Sequence, residues 1–490
     1  MAAEVKTPAV TGAGLGSRAV RNTFLLLSAR SASRVIALIT VFATAAGLGD
    51  AGFGQFQTAV VYMSLVSVVV DLGFNTLYVR EAARHPTELG RYLRNVLSSR
   101  LLLAAVGLAV LAGALAIPRL DWLLVPAFAT MLLAAYANVL RSTFYATGRL
   151  VYEAVAIVIE SVILLSLVLA GVRSHAPVSW YLWAYAASYA FSCVYFAVVT
   201  SVLRMARLGW QLEPAFLLQQ LRMSLPFAAT FILTTVYFKS DVPILQQFRS
   251  FEEVGWYQFA YKPFESLLFI PTTMLNVAFP LLGIYHRQSR ERFLETVNRF
   301  FKALIAIGWP ISVGTVLLAP GINGLFDRSG RFGPAASALA VLGIGIVLMF
   351  VTNAFIGALN ASDRQGLFTW AAGVSLVANV SLNFALIPAF GYLGASWATN
   401  LTELVLLATG WAMVARTIGP VPIHRLSWRI LLAGLVMAVP LWFMRGVTGW
   451  PVLIAILVAM AVYAVALVLL RAFDRDEIAL LRRALPAARS

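Results

Sequence analysis

The stretch Leu221–Arg290, LRMSLPFAATFILTTVYFKSDVPILQQFRSFEEVGWYQFAYKPFESLLFIPTTMLNVAFPLLGIYHRQSR, decides the fold. It reads as two long apolar helices joined by a short polar turn around Arg249–Glu253. Each helix carries a charged pair where lipid would forbid one: Lys239 with Asp241, and Lys262 with Glu265. A charge at the centre of a membrane helix costs roughly 2.5–3.5 kcal/mol on insertion scales, so these groups should face protein or water. At a rise of about 1.5 Å per residue from the turn, all four lie at similar depth, in the half nearer the turn. That is the pattern of a polar site inside a helical membrane protein.

Composition agrees. The chain has 490 residues, 60% of them hydrophobic and 12% charged, with a mean hydropathy of +0.83. Soluble domains run near 45–50% apolar and about 25% charged, so an integral membrane protein is expected. The net charge of +16 would suit nucleic acid, but the basic residues fall mostly in alternate loops, the positive-inside pattern. Anionic membrane lipid explains the excess, and no nucleic-acid partner is expected. The single Cys193 lies in an apolar span, which leaves no intrachain disulfide and no cysteine-rich metal site. The N-terminus lacks a short apolar core followed by a cleavage site, so no removed signal peptide is expected.

In chain order, residues 1–20 read as a disordered cytoplasmic arm. Residues 21–203 hold spans one to six, with the second running to about Val79. A basic connector, 204–222, precedes spans seven to twelve in 223–416, the seventh beginning near Met223. Two extra spans occupy 417–473, and 474–490 form a basic tail. Each segment approaches the ~20 residues of a bilayer crossing, giving about 14 in all. Of the 37 Lys and Arg residues, roughly 24 fall on the N-terminal side, 6 on the other face and 7 inside spans, which predicts cytoplasmic termini. A weak repeat links the halves. Gly54-Gln55-Phe56-Gln57 echoes Gly255-Trp256-Tyr257-Gln258, and Tyr145-Ala146-Thr147-Gly148-Arg149 echoes Asn360-Ala361-Ser362-Asp363-Arg364. These offsets, roughly 200–215 residues, fit two six-helix lobes in the same orientation.

The central stretch resembles the polysaccharide transport family, the oligosaccharide flippases of the multidrug/oligosaccharidyl-lipid/polysaccharide superfamily. The resemblance rests on Ser224-Leu225-Pro226, Asp241, Glu253-Val254-Gly255-Trp256-Tyr257, Ala260-Tyr261, Glu265 and Phe279-Pro280. It extends to Asp71-Leu72-Gly73-Phe74, Val79-Arg80-Glu81, Asn379-Val380-Ser381-Leu382-Asn383, Leu386-Ile387-Pro388 and Gly391-Tyr392-Leu393-Gly394-Ala395. Such resemblance implies an all-α polytopic membrane protein, an inverted-V pair of six-helix lobes around a central cavity, plus two C-terminal helices. It implies as substrate an oligosaccharide on a polyprenyl pyrophosphate lipid. The setting implied is a bacterial cytoplasmic (inner) membrane, with a polysaccharide polymerase and glycosyltransferases as pathway partners.

Among candidate site residues, Arg30 and Arg34 lie four apart on one helix face, Cβ atoms about 5–6 Å apart. From a boundary near Arg21 they sit roughly 14 and 20 Å deep, too far for both to snorkel easily. Guanidinium groups grip phosphate bidentately and keep their charge, which suits a lipid pyrophosphate. The competing reading is a structural ion pair, with Asp71 on the adjacent span at a depth similar to Arg30. Lys239 and Lys262 either extend a cationic path or are neutralised by Asp241 and Glu265. Glu160 and Glu403 sit inside spans as candidate H+ or Na+ coupling sites or as hydrogen-bonded structural groups. Arg100, Arg141 and Lys302 lie near the cytoplasmic end and read as snorkelling side chains. Trp180, Tyr181, Trp183, Tyr185 and Tyr189 read as an interfacial belt, with sugar stacking the alternative. Pro226, Pro243, Pro271, Pro280, Pro310 and Pro320 are hinges or static kinks. None of His85, His175, His286 and His424 lies deep in a span, which removes most metal and acid–base schemes.

The function expected is translocation of a polyprenyl-pyrophosphate-linked oligosaccharide from the cytoplasmic to the outer leaflet, by alternating access through a cationic cavity. A lipid II flippase is the nearest alternative, since the same cations would serve its pyrophosphate. A multidrug exporter of cations is disfavoured by Arg30 and Arg34 unless both are neutralised. A membrane enzyme needs a larger outer loop or a deep histidine. An ATP-driven pump needs a P-loop, and none of the four lysines follows a glycine.

Overall fold

Backbone N–H and C=O groups have no water to bond in a bilayer core, so long apolar runs become helices that satisfy them internally. The computed structural model describes residues 12–114, 123–327, 329–474 and 477, whose regular structure is helical with no strand among them. The helices are α1 (Gly12–Asp71), α2 (Phe74–Arg84), α3 (Leu89–Ala114), α4 (Leu124–Ala146), α5 (Leu150–Arg173) and α6 (Val178–Val202). Then come α7 (Pro214–Lys239), α8 (Asp241–Phe248), α9 (Phe251–Leu267), α10 (Phe269–Gln288) and α11 (Arg290–Phe326). The chain ends with α12 (Ala335–Ala361), α13 (Gln365–Thr417), α14 (Ile423–Met444) and α15 (Pro451–Leu469). Ten helical stretches of the described residues are long and apolar enough to cross a membrane.

Several boundaries differ from the sequence reading. α1 starts at Gly12, inside the expected disordered arm, because an established helix extends at the low cost of one residue per added hydrogen bond. Residues 1–11 of that arm, and all of the tail from 474 except 474 and 477, lie outside the described residues. The second span stops at Asp71, not Val79: Leu72 and Gly73 take left-handed φ of 42° and 74°, and α2 begins as a separate helix at Phe74. α7 starts at Pro214 rather than Met223, since proline's fixed φ favours a first helical turn. The connector is tied down just before it. Gln211 N donates to Ser98 Oγ at 3.0 Å and Glu213 N to Asn95 Oδ1 at 2.9 Å. The Arg91 guanidinium, bonded to Glu213, holds that carboxyl below the usual carboxylate range.

Proline and glycine set the internal breaks. A proline ring clashes with the carbonyl four residues back. Four residues before Pro243 is Lys239, the last residue of α7; four before Pro271 is Leu267, the last of α9. Two charged sites of the central stretch therefore flank proline-made breaks. α1 and α13 each contain one non-helical residue, Gly49 (φ 69°, ψ −177°) and Gly391 (φ 56°, ψ −135°). These are conformations that side-chain-bearing residues rarely adopt. At Gly391 the polar turn supplies the missing partners. Glu253 Oε2 accepts from Tyr392 N at 3.1 Å, and Arg249 Nη2 donates to Pro388 O at 2.7 Å.

The described chain forms two compact units. One comprises the residues up to Gly47 together with Ala59–Ile232; the other comprises Leu48–Thr58 and the chain from Leu233. In the first, α4 and α6 pack closely, with Phe144 on Phe196 at a centroid distance of 5.1 Å and Tyr78 bonded to Thr143 at 2.8 Å. In the second, α12 is packed between α11 and α13 and buries Phe350 and Phe355.

Within the second unit, the repeat seen in the sequence is a physical contact. An added Cβ on Gly54 would lie 1.8 Å from Phe251 O, and one on Gly255 would lie 2.2 Å from Asp50 O. Each glycine thus approaches the carbonyl four residues before the other, a reciprocal small-residue contact of the kind that lets membrane helices touch. Gly54→Ala should cost about 1–3 kcal/mol through overpacking. It should lower the folded, monodisperse fraction in detergent size-exclusion chromatography. Gly283→Ala, whose Cβ would meet nothing within 4 Å, should leave that fraction unchanged or raised.

Candidate functional site

The first unit holds the two arginines of α1. Arg30 does not pair with Asp71. Its Nη2 donates to Glu153 Oε1 of α5 at 3.1 Å, and its guanidinium carbon lies 5.2 Å from the Tyr145 ring centroid of α4. Tyr145 OH donates to the same oxygen at 2.8 Å. Glu153 is fully buried, and its Oε2 has no partner among the described residues. The Arg30 side chain remains 43% exposed, and Arg34, one turn on, is exposed. Equal depth was the basis for pairing Arg30 with Asp71, but depth fixes level along a helix and not the direction a side chain faces. Glu153 went unread because an acid in a first helical turn is the ordinary response to the helix dipole. Its spacing from Glu160, two turns on and on the same face, was the available signal.

Asp71 instead meets Arg100 of α3, an ion pair in which the arginine side chain is 2% exposed. Arg141 of α4 donates to Glu160 Oε2 of α5 at 2.7 Å, and Ser192 of α6 bonds the same oxygen. Lys302 of α11 donates to Glu477 Oε2 at 2.7 Å. These three cations do not snorkel. A carboxylate on a neighbouring element at the same level is nearer than the interface, and pairing there avoids an isolated charge. The Asp71–Arg100 pair lines a cavity of about 330 Å³ bordered by α1, α2, α3, α4, α6 and α7. The aromatic run of α6 divides around it: Trp180 and Trp183 are exposed, whereas Tyr185 and Tyr189 line the cavity.

In the second unit the expected pairs are rearranged. Lys239 and Lys262 both bond Glu265, at 3.2 Å to Oε1 and 3.1 Å to Oε2. Asp241 is bonded by Tyr257 OH and by Val242 N, not by Lys239. Lys239 and Asp241 are two residues apart with a helical Ser240 between them, so their side chains leave nearly opposite faces, and Asp241 in the first turn of α8 accepts from Val242 N instead. Glu403 of α13 accepts from Tyr237 OH at 2.8 Å. Glu403 and Asp241 border one small pocket with Asn379 and Thr399, and Glu403 also lines a mainly apolar cavity of about 250 Å³.

Two kinds of chemistry follow from this geometry. Anchored but exposed cations on α1 can receive an anion, and buried neutral pairs can bond polar groups without attracting ions. Removing either partner of a buried pair costs about 3–5 kcal/mol, because a lone charge is left behind. Arg100→Ala and Asp71→Ala should each lower thermal stability in detergent, and Asp71→Leu with Arg100→Met should recover much of the loss. Arg30→Ala and Asp71→Ala should act independently, with additive effects; strong coupling between them would restore the Arg30–Asp71 pairing.

Comparison with known proteins places the chain. The sequence model of a family described as "Polysaccharide biosynthesis protein" matches residues 19–286. A curated relative, "Probable flippase AglR" of Haloferax volcanii, is 29% identical over 166 residues, 33% of this chain and 34% of that protein. The match thus spans about a third of the relative's length. Among solved structures, the lipid II flippase MurJ in an inward closed conformation superposes with a TM-score of 0.75 at 15% identity, covering 91% of this chain and 99% of that one. An inward-facing multidrug resistance MATE family transporter of the MOP superfamily gives 0.63 at 14% identity, covering 79% and 94%. The chain therefore shares its fold with these flippase and transporter structures, and it belongs to the family described as polysaccharide biosynthesis protein.

Proposed function

We propose that this protein is a flippase, not an enzyme, that carries a polyprenyl-pyrophosphate-linked oligosaccharide from the cytoplasmic to the outer leaflet by alternating access. The observation that carries the reading is Arg30, held in place by Glu153 and Tyr145 while 43% of its side chain stays open within a membrane-spanning helix. An exposed guanidinium at that level is too costly to present to lipid, so it faces water or an anion. Arg34, one turn further, adds a second planar fork, and a pyrophosphate needs several charge-assisted bonds to offset its lost hydration. In the second unit, Lys239 and Lys262 share Glu265 and form a separate cationic cluster. Cation coupling, by H+ or Na+, falls on this reading to Asp241 and Glu403, and Asp71 and Glu160 serve as charge partners. A lipid II cargo would use the same phosphate chemistry.

A second reading, export of cationic drugs, is favoured by one observation: the mainly apolar cavity that contains Glu403. The two readings separate in cells. Under the first, loss of the protein should remove surface glycan and leave tolerance to ethidium unchanged; the reverse outcome supports drug export.

Arg34→Ala should abolish surface glycan at normal protein level, and Arg34→Lys should retain only part of it, because lysine offers a point charge in place of a fork. Intact glycan with Arg34→Ala at wild-type expression would remove the case for a phosphate-bearing cargo. The reading also places both termini in the cytoplasm of a bacterial inner membrane. Cysteines at Ser174 and Ser329 should then react with an impermeant thiol reagent from outside, and one at Ser289 should not.

A further inference from the structure

We infer that the cavity lined by Asp71 and Arg100 is a sugar-binding subsite, which takes a ring of the lipid-linked glycan. The inference rests on the flippase reading above and names where its headgroup is recognised. The cavity lies wholly within the first unit and measures about 330 Å³, at the lower end of the ~300–1,000 Å³ that small-molecule pockets occupy.

Its chemistry excludes ions. Asp71 and Arg100 are bonded to each other, so their charges cancel at the wall. An anion approaching Arg100 meets the Asp71 carboxylate, and a cation approaching Asp71 meets the guanidinium. A neutral hydroxyl suits both, because it can accept from one and donate to the other. Arg100 has a bond left to make. Its Nε, in a side chain 98% buried, has no partner among the described residues, an expensive state for a charged donor unless a ligand or water completes it.

The remaining walls fit the same ligand. Asn138 of α4 is exposed, and Asn75 of α2 accepts from Ser142 through its carbonyl, which turns its amide nitrogen into the available donor. Tyr185 and Tyr189 lie four residues apart and thus on one face of α6, the spacing that aligns two rings along a single wall. Aromatic faces with convergent hydroxyl, amide and charge-paired groups suit the alternating C–H and O–H surfaces of a sugar ring. The phosphate-binding arginines of α1 are separate from this cavity, since neither Arg30 nor Arg34 lines it.

The test uses the full-length protein in lipid nanodiscs. Binding is measured for undecaprenyl pyrophosphate and for the same lipid carrying N-acetylglucosamine, glucose or galactose. At least one sugar-bearing lipid should bind more tightly than the bare lipid. Ser64 of α1 also lines the cavity, and Asn138→Leu and Ser64→Val each remove one cavity group away from the ion pair. Each should reduce the sugar's advantage by about three- to tenfold, the worth of one hydrogen bond, while bare-lipid affinity stays unchanged. If no sugar-bearing lipid exceeds the bare lipid, or if both variants keep the full advantage, the subsite is overturned and the flippase reading stands. If neither class of lipid binds the wild-type protein, the flippase reading itself falls.

Discussion

A charge inside a membrane cannot stand alone, and that constraint organises this molecule. Arg30 finds Glu153, Arg100 finds Asp71, Arg141 finds Glu160, Lys302 finds Glu477, and Lys239 and Lys262 divide Glu265 between them. Apart from the Lys262–Glu265 contact within α9, each of these bonds joins two different elements. The pairs therefore act as pins as well as neutralisers, in a medium where the hydrophobic effect supplies little force between helices. A pin works only in one register, so each also selects one packing arrangement against its alternatives. That a buried ion pair specifies more than it stabilises accords with its high desolvation cost.

Much of this was legible in the sequence. The all-helical membrane class and the family follow from apolar run length and motif order, which are properties of one segment at a time. Most of the charged residues that matter were also visible, because a charge in an apolar run stands out. What the sequence left open was which cation meets which acid. Helical periodicity places Asp71 on a face of its own helix but cannot say that α3 lies opposite. The pairing Lys239–Asp241 failed for a local reason: residues two apart on a helical backbone leave nearly opposite faces, so closeness in sequence was not closeness of side chains. Glu153 was missed because its position in a first turn has an ordinary explanation.

The breaks carry more of the architecture than their residue count suggests. Single glycines at 49 and 391 replace the loops that two spans would otherwise need, and both use backbone angles that a Cβ resists. Beyond Gly49, Gly54 meets the first turn of α9 backbone to backbone, and Gly255 returns the contact. In the sequence this was a faint echo between two tetrapeptides. In space it is a pairing of the two echoes with each other, as expected where equivalent positions of a repeat meet about a local pseudo-symmetry axis. The echo was weak because close approach requires only that side chains be absent, and absence leaves little pattern.

On the flippase reading, Arg30 and its partner solve a problem of release. A cargo that must leave the protein cannot be held by bare, desolvated cations, since charge-assisted bonds to phosphate are strong and grow stronger in a low dielectric. Glu153 competes for the same guanidinium. An arriving phosphate gains a bond to Arg30 only by loosening one that already exists, so the net gain is the difference between the two. The same carboxylate then recaptures Arg30 as the phosphate departs, which lowers the cost of release by a similar amount. Tyr145, bonded to Glu153 and lying under the guanidinium, keeps both groups in place through the exchange. A cationic site built this way recognises its cargo by geometry and still lets it go, and that balance needs the acid as much as it needs the arginine.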